Sequence, residues 1–556
     1  MPADSAASLA SGRVEAGTVA ELGCQGRGPT VGYGGMVSSS HPAVSRAGIA
    51  VLEAGGNAAD AALAMAAMSW LALPGQCGVG GDAFVLLRRP DGTVVSYGGS
   101  GFGPDGGEPG FYRDGRGLAA VPLEGPLAVA VPGAVAALAA LHAGAASWDL
   151  PRLWEPAAAA AERGMPCTYK TRDDIAERRD ALSRDPGTAA VYLPGGSVPA
   201  VGTPLPQADL AATLRRVAAD PASFYSGELA ERAVSALAAA GAPFSGDEWA
   251  ATGEPLVSAA LAGRYQGATV HQTPPPTPGW MVLQQAGLND GRLSELPWMS
   301  AEAVHLAASA ARLAFADRYA GCGADNDHWA GLLAPAALAA ARGRVAAGDL
   351  PAPAVPAVPV DGDTTSMVVV DGEGMAVSLI HSLAFTFGAR ITVPGTGVVL
   401  NNRLGRGAYL IDGHPNEVRP RRRPLHTLNA WLVTGAAGKL LHVGNTPGGD
   451  GQVQWNAQLL SHLLDHGLDP AAAVAAPRFT VHPGSDADVL GQPPELRVES
   501  RLGTERIGAL RGMGHAVTVQ SPWGAGGSAQ VISVDGATGA LLGAADPRQD
   551  GVALSV

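Results

Sequence analysis

Thr364-Thr365-Ser366 is the first place where residue types and spacing suggest chemistry. The triplet follows Gly362-Asp363 and opens the apolar run Met367 to Val370, so hydroxyls stand at the head of a strand that must be buried. Kept internal, Thr364 is an ordinary strand start. Exposed by a cut between Asp363 and Thr364, it becomes an N-terminal nucleophile. Its new α-amino group, with a pKa near ~8, can take the proton of its own hydroxyl. Thr365 would then help to position that nucleophile or its amine.

Acyl transfer also needs donors for the oxyanion. Gly444-Asn-Thr-Pro-Gly448-Gly449-Asp450-Gly451-Gln452 follows the apolar run Leu440 to Val443 and leads into a helical pattern. Glycines there let backbone N–H groups point outward at a helix N-terminus, and Gly448 and Gly449 are the expected donors. The loop lacks the lysine of a nucleotide-binding P-loop. A third segment, Asn401-Asn402-Arg403-Leu-Gly-Arg406, offers amides to orient a substrate and a guanidinium able to grip a carboxylate in bidentate fashion. The fourth runs from Arg419 to Asn429. Its Arg421 to Arg423 run reads as a solvated surface turn. His426 is either a satisfied structural histidine or a contact for a substrate carboxylate, with Thr427 beside it.

The elements that must position these residues are readable in outline. A short strand leads into a helix between Gly35 and Val51, ended by Gly55-Gly56-Asn57. Ala58 to Leu73 is a helix apolar on most sides. Phe84 to Arg89 and Val94 to Tyr97 form a hairpin around Pro90-Asp-Gly, and a second hairpin turns at Asp371-Gly372. From about Pro132 to Leu350 the pattern is mostly helical, and Pro351 to Val360 reads as an extended linker. Strands follow from Thr364 to Leu400, at Leu440 to Gly444, Ala529 to Val534 and Ala540 to Ala544, with helices at Gln452 to His466 and Thr504 to Met513. Helices packed on antiparallel sheets, with a central cut, predict an α+β four-layer αββα sandwich. Three parts are expected: a disordered N-terminus (1–30), a large fragment (31–363) and a small one (364–556).

Composition narrows the partners. The 556-residue chain is 47% hydrophobic and 16% charged, with net charge −13 and no basic run long enough to track phosphates. Nucleic-acid binding is not expected. Cys24, Cys77, Cys167 and Cys322 match no metal spacing and read as buried free thiols, so no metal or organic cofactor is expected. No apolar stretch approaches the ~20 residues of a membrane helix, and the N-terminus does not read as a signal peptide, which predicts a cytoplasmic enzyme.

In order along the chain, His41-Pro, Gly55-Gly-Asn-Ala-Ala-Asp60, Gly78-Val-Gly-Gly81, Val131-Pro-Gly133, Pro274-Pro-Pro-Thr-Pro-Gly, Leu313-Ala-Phe-Ala-Asp317-Arg318, Asp363-Thr364-Thr365-Ser366, Leu400-Asn-Asn, Arg423-Pro-Leu and Pro447-Gly-Gly resemble the gamma-glutamyltranspeptidase family of N-terminal nucleophile hydrolases. The resemblance covers nearly all of the chain from Gly35. It implies an αββα fold, self-cleavage at Asp363–Thr364, a heterodimer of the two fragments (further pairing of heterodimers left open) and a small-molecule amide as substrate. By the same resemblance the hydroxyl flanking the nucleophile falls at Ser382, and the family's serine pair falls at His426-Thr427.

Departures from the family pattern bear on the substrate. The acidic positions that hold a glutamyl ammonium in the transpeptidases fall at Arg403 and Arg406. The family's carboxylate-binding arginine is absent after Tyr97, where Gly98-Gly99-Ser100-Gly101 stands. Asn402-Arg403, Asp412-Gly-His414-Pro415-Asn416 and Gly448-Gly-Asp450-Gly-Gln452 are similar to the oxamate amidohydrolase-like branch. The reading is an autoprocessed amidohydrolase acting on a small carboxylate-bearing amide, with Asn402, Arg403, Arg406, His426 and Thr427 as substrate contacts. Rival readings are a gamma-glutamyltransferase or glutathione hydrolase, an acylase or acyltransferase of secondary metabolism, and an uncleaved scaffold.

Overall fold

Met367 to Val370 is apolar on both faces, and the strand Thr365–Asp371 that contains it is buried throughout. The computed structural model describes residues 14–24, 28–348, 364–485, 487 and 493–556. The linker Pro351 to Val360 and Asp363 lie outside these residues. Alternation turns Val368 and Val370 toward a second sheet and Met367 and Val369 toward helices. The strand is third in a seven-stranded sheet ordered Val552–Ser555, Gly35–Ser39, Thr365–Asp371, Ala376–Ser382, Asp82–Arg88, Val94–Gly99, Leu256–Ala259. Every neighbouring pair is antiparallel.

The second seven-stranded sheet is ordered Thr30–Gly32, Leu541–Ala545, Gln530–Val534, Leu440–Asn445, Ala430–Thr434, Ala268–Gln272, Leu261–Tyr265 and is also antiparallel. Phe84, Leu86, Val368 and Ile380 pack against Leu428, Leu432, Val443 and Ile532 between the sheets. Helices Pro42–Glu53, Ala58–Ala72 and Ala134–Ala145 cover the first sheet; Gly279–Asn289, Ala301–Gly321 and Gly451–Leu464 cover the second. The result is an αββα sandwich. The helix Ala58–Ala72 shows how local sequence secures it: Asn57 and Asp60 form a reciprocal capping box, and the run of alanines lets the helix be buried on nearly all sides.

Two expectations are corrected, and a third gains detail. Residues 1–30 are not uniformly disordered: Ala16–Glu21 is a helix, and Leu22 and Cys24 are buried in the core of the second sheet. The stretch from Pro132 to 348 is mostly helical as expected, but it also holds the strands Leu256–Ala259, Leu261–Tyr265 and Ala268–Gln272 at the edges of both sheets. Their alternation is too short to stand out among helical neighbours. Arg421 to Arg423 is a solvated turn only in part: Arg421 lies exposed in a turn, whereas Arg422 and Arg423 are half-buried. Arg421 pairs with Asp105 at 2.5 Å, Arg422 with Asp325 at 2.5 Å, and Arg423 stacks on Phe102 at 3.8 Å. Among the described residues no helix is long and apolar enough to cross a membrane.

Candidate active site

The register of the first sheet builds one polar row. Ser382 lies opposite Asp82 in the ladder. One residue beyond the last paired positions, Thr364 falls opposite Ser382 and Ser100 opposite Asp82. Four side chains from four adjacent strand ends thus share the face turned to the second sheet. Thr364 Oγ1 donates to Ser382 Oγ at 3.0 Å, and Ser382 Oγ also accepts the Ala384 N–H at 2.8 Å. Ala384 holds a positive φ of 83°, which turns the chain sharply away from the sheet end. Thr364 and Ser382 are both buried.

Asp82 and Arg403 form the second half of the row. Arg403 Nε donates to Asp82 Oδ2 at 3.3 Å, with side-chain exposures of 1% and 0%. Burial outweighs the Arg403 guanidinium and pushes the Asp82 carboxyl up to about 6. His426 Nε2 lies 2.8 Å from Ser100 Oγ and 3.9 Å from Asp82 Oδ2. Burial first, then Arg403, Arg318 and Arg406, hold His426 well below the ordinary imidazole value. The ring is therefore neutral. His426 Nδ1 and Thr427 Oγ1 are buried and find no hydrogen-bond partner among the described residues.

The glycine turn stands on the other side of Arg406. Gly448 and Gly449 have φ of 130° and 58°, and neither N–H donates a hydrogen bond among the described residues. Asn445, at the end of the strand that leads into this turn, donates to Leu379 O and Ser378 Oγ at 3.0 Å each and so ties it to the first sheet. Arg406 bridges the turn to the loop after Ser382. Its Nη1 donates to Ala384 O at 2.8 Å, its guanidinium lies 4.5 Å over Phe385, and a Cβ on Gly449 would fall 2.4 Å from Nη2.

Most residues named from sequence converge here, with altered duties. Asn402 accepts from Phe385 N–H at 3.0 Å and donates to Leu123 O at 2.7 Å, so its amide staples backbone rather than facing a substrate. Arg403 and Arg406 already contact a carboxylate and a carbonyl of the protein. Alternation puts Thr365 on the helix-facing side, opposite His381, away from the Thr364 hydroxyl. Asp363 lies outside the described residues. Sequence reasoning missed Asp82, Ser100 and the Arg318–Asp450 pair at 3.2 Å. The available signal was a carboxylate directly after Gly80-Gly81, at the mouth of an otherwise apolar strand.

Comparison with known proteins identifies relatives over nearly the whole chain. A family profile described as Gamma-glutamyltranspeptidase matches residues 44–556. The chain is 33% identical over 535 residues to a glutathione hydrolase-like YwrD proenzyme of Bacillus subtilis, covering 95% of this chain and 99% of that one. It is 33% identical over 535 residues to an oxamate amidohydrolase proenzyme of Klebsiella pneumoniae, covering 93% and 98%. Among solved structures, a cephalosporin acylase from Bacillus halodurans superposes with a TM-score of 0.85 at 27% identity, covering 96% and 97%.

Proposed function

On the premise that this chain belongs to the gamma-glutamyltranspeptidase family, and so to the N-terminal nucleophile amidohydrolases and acyltransferases, we propose that it cuts itself before Thr364 and then hydrolyses a small amide bearing a carboxylate. In the cut, Thr364 Oγ attacks the Asp363 carbonyl, the peptide nitrogen leaves as the new α-amine, and water opens the resulting ester. In turnover the freed amine takes the hydroxyl proton, and Oγ attacks the substrate carbonyl. The amine then protonates the departing nitrogen, and water releases the acyl group. Gly448 and Gly449 N–H groups receive the oxyanion.

The observation that carries this reading is the Thr364–Ser382 hydrogen bond at the head of the buried strand. The two amides of the glycine turn, without partners among the described residues, support it. Ser382 acts as the positioning hydroxyl. Arg406, set between the glycine turn and Ala384 O, favours a carboxylate over an ammonium there, whereas the charge of Arg403 is matched by Asp82: at about 4 Å and an effective dielectric near 20, like charges repel by about 4 kcal/mol. The relative named for oxamate hydrolysis supports a short carboxylate-bearing amide. Intact-mass measurement on fresh protein tests the first step, with fragments 1–363 and 364–556 expected and Thr364→Ala remaining whole. Turnover of oxamate, a neutral amide and a γ-glutamyl anilide tests the second. Preference for the neutral amide would reject the carboxylate reading, and preference for the γ-glutamyl compound would reject the exclusion of an ammonium; either leaves the nucleophile intact.

A further inference from the structure

We propose that Arg318 is a positioning residue for the reaction, reaching from the large fragment to fix the glycine turn and the segment around His426 in the small fragment. The proposal rests on the reading that Gly448 and Gly449 receive the oxyanion. Arg318 lies in the last turn of the helix Ala301–Gly321, and its side chain is only 3% exposed. Nη1 donates to Asp450 Oδ1 at 3.2 Å and to Ser485 Oγ at 2.9 Å; Nη2 donates to His426 O at 3.0 Å. Asp450 directly follows the glycine pair, and its Oδ2 accepts the Ser485 N–H at 2.8 Å. One planar fork therefore joins the turn that offers the amides to the segment that carries His426 and Thr427.

The turn needs such an anchor. Two glycines in left-handed conformations have no side chains to hold them. Among the described residues their backbone bonds are those their carbonyls accept from Gly451 and Gln452 N–H, at 3.0 Å each. Charge-assisted bonds from a rigid guanidinium supply the missing orientation. An ammonium on a flexible stem cannot reproduce the fork, and the uncharged amide of an asparagine at 450 forms weaker bonds to it. The inference assigns no contact with substrate: Arg318 acts through Asp450 and the His426 carbonyl.

The test uses the full chain with Arg318→Met, Arg318→Lys, Asp450→Asn and the Met/Asn double variant. Splitting is followed by intact mass, and p-nitrophenyl acetate serves as an acyl probe independent of substrate identity, with Thr364→Ala as blank. Arg318→Met and Asp450→Asn are each expected to lower kcat ten- to a hundredfold with KM within threefold. The double variant should be no worse than the poorer single one, because both remove the same clamp, and Arg318→Lys should recover part of the rate. Unchanged kcat in cut, soluble Arg318→Met, a loss confined to KM, or multiplying losses in the double variant would overturn the proposal. If Arg318→Met does not fold, Asp450→Asn decides alone by the same criteria. A Gly448→Ala variant separates the two readings: inert Gly448→Ala removes the oxyanion assignment, whereas impaired Gly448→Ala beside inert Arg318→Met removes only this one.

Discussion

Gly448→Ala adds one methyl group to the turn before the helix Gly451–Leu464, and the structure leaves no room for it. The φ of 130° belongs to backbone that side-chain-bearing residues rarely adopt, at a cost of about 1–3 kcal/mol if retained. The new Cβ would stand 2.0 Å from Trp455 Cζ3 and 2.8 Å from Cη2, against the ~3.5–4.0 Å of an ordinary carbon contact. Trp455 is held by its Nε1–H on Thr480 Oγ1 at 3.0 Å and by the Arg478 guanidinium 5.2 Å from its ring. The ring cannot retreat cheaply, so the turn moves and carries its amides with it. Loss of one oxyanion donor costs about 3 kcal/mol, or a hundred- to a thousandfold in kcat. Steady-state kinetics on the cut enzyme should show that loss with little change in KM, and thermal unfolding should show a folded protein. A Gly448→Ala enzyme that turns over within threefold of the parent would refute the assignment of this turn to the oxyanion.

Ser382→Ala removes the acceptor of the Thr364 hydroxyl and leaves the Ala384 N–H buried without its partner. Stability should fall by about 1–3 kcal/mol, and kcat ten- to a hundredfold, read by denaturant melts and initial rates. Asp82 holds its proton more tightly in the folded chain, with a value of about 6 against an ordinary 3.8. Its contribution to stability is therefore full below pH 4 and lost as pH rises through 6. Relative to Asp82→Asn, the parent should lose about 3 kcal/mol between pH 4 and pH 7; parallel stability curves would contradict this. Arg403→Ala strands a buried carboxylate and should cost about 3–5 kcal/mol, most of it recovered in Asp82→Asn/Arg403→Met. An additive double variant by thermal melt would show that the two groups do not act as a pair.

Local pattern was enough to find the nucleophile strand, its hairpin partner, the glycine turn and most covering helices, because each is set by apolar spacing and turn residues within a short window. The polar row was not legible. It depends on the register between Ala376–Ser382 and Asp82–Arg88, segments nearly three hundred residues apart, and no local pattern fixes which residue of one faces which of the other. The backbone contacts of Asn402 and Arg406 were not legible for a related reason. A polar side chain named in isolation looks available, and only the packed structure reveals that Leu123 O and Ala384 O claim it. The paired arginines at 421 and 422 illustrate the same point, since Asp105 and Asp325 come from remote loops.

Both sheets are woven from either side of position 364. Gly35–Ser39 is hydrogen-bonded between Val552–Ser555 and Thr365–Asp371, while Ala430–Thr434 pairs with Ala268–Gln272. Severing one peptide link before Thr364 would change the covalent graph and leave every rung of these ladders in place. Among the described residues no seam runs along which the pieces could slide apart. Dissociation would require stripping strands from the middle of a sheet, so the two polypeptides should behave as one cooperative body long after they have ceased to be one chain.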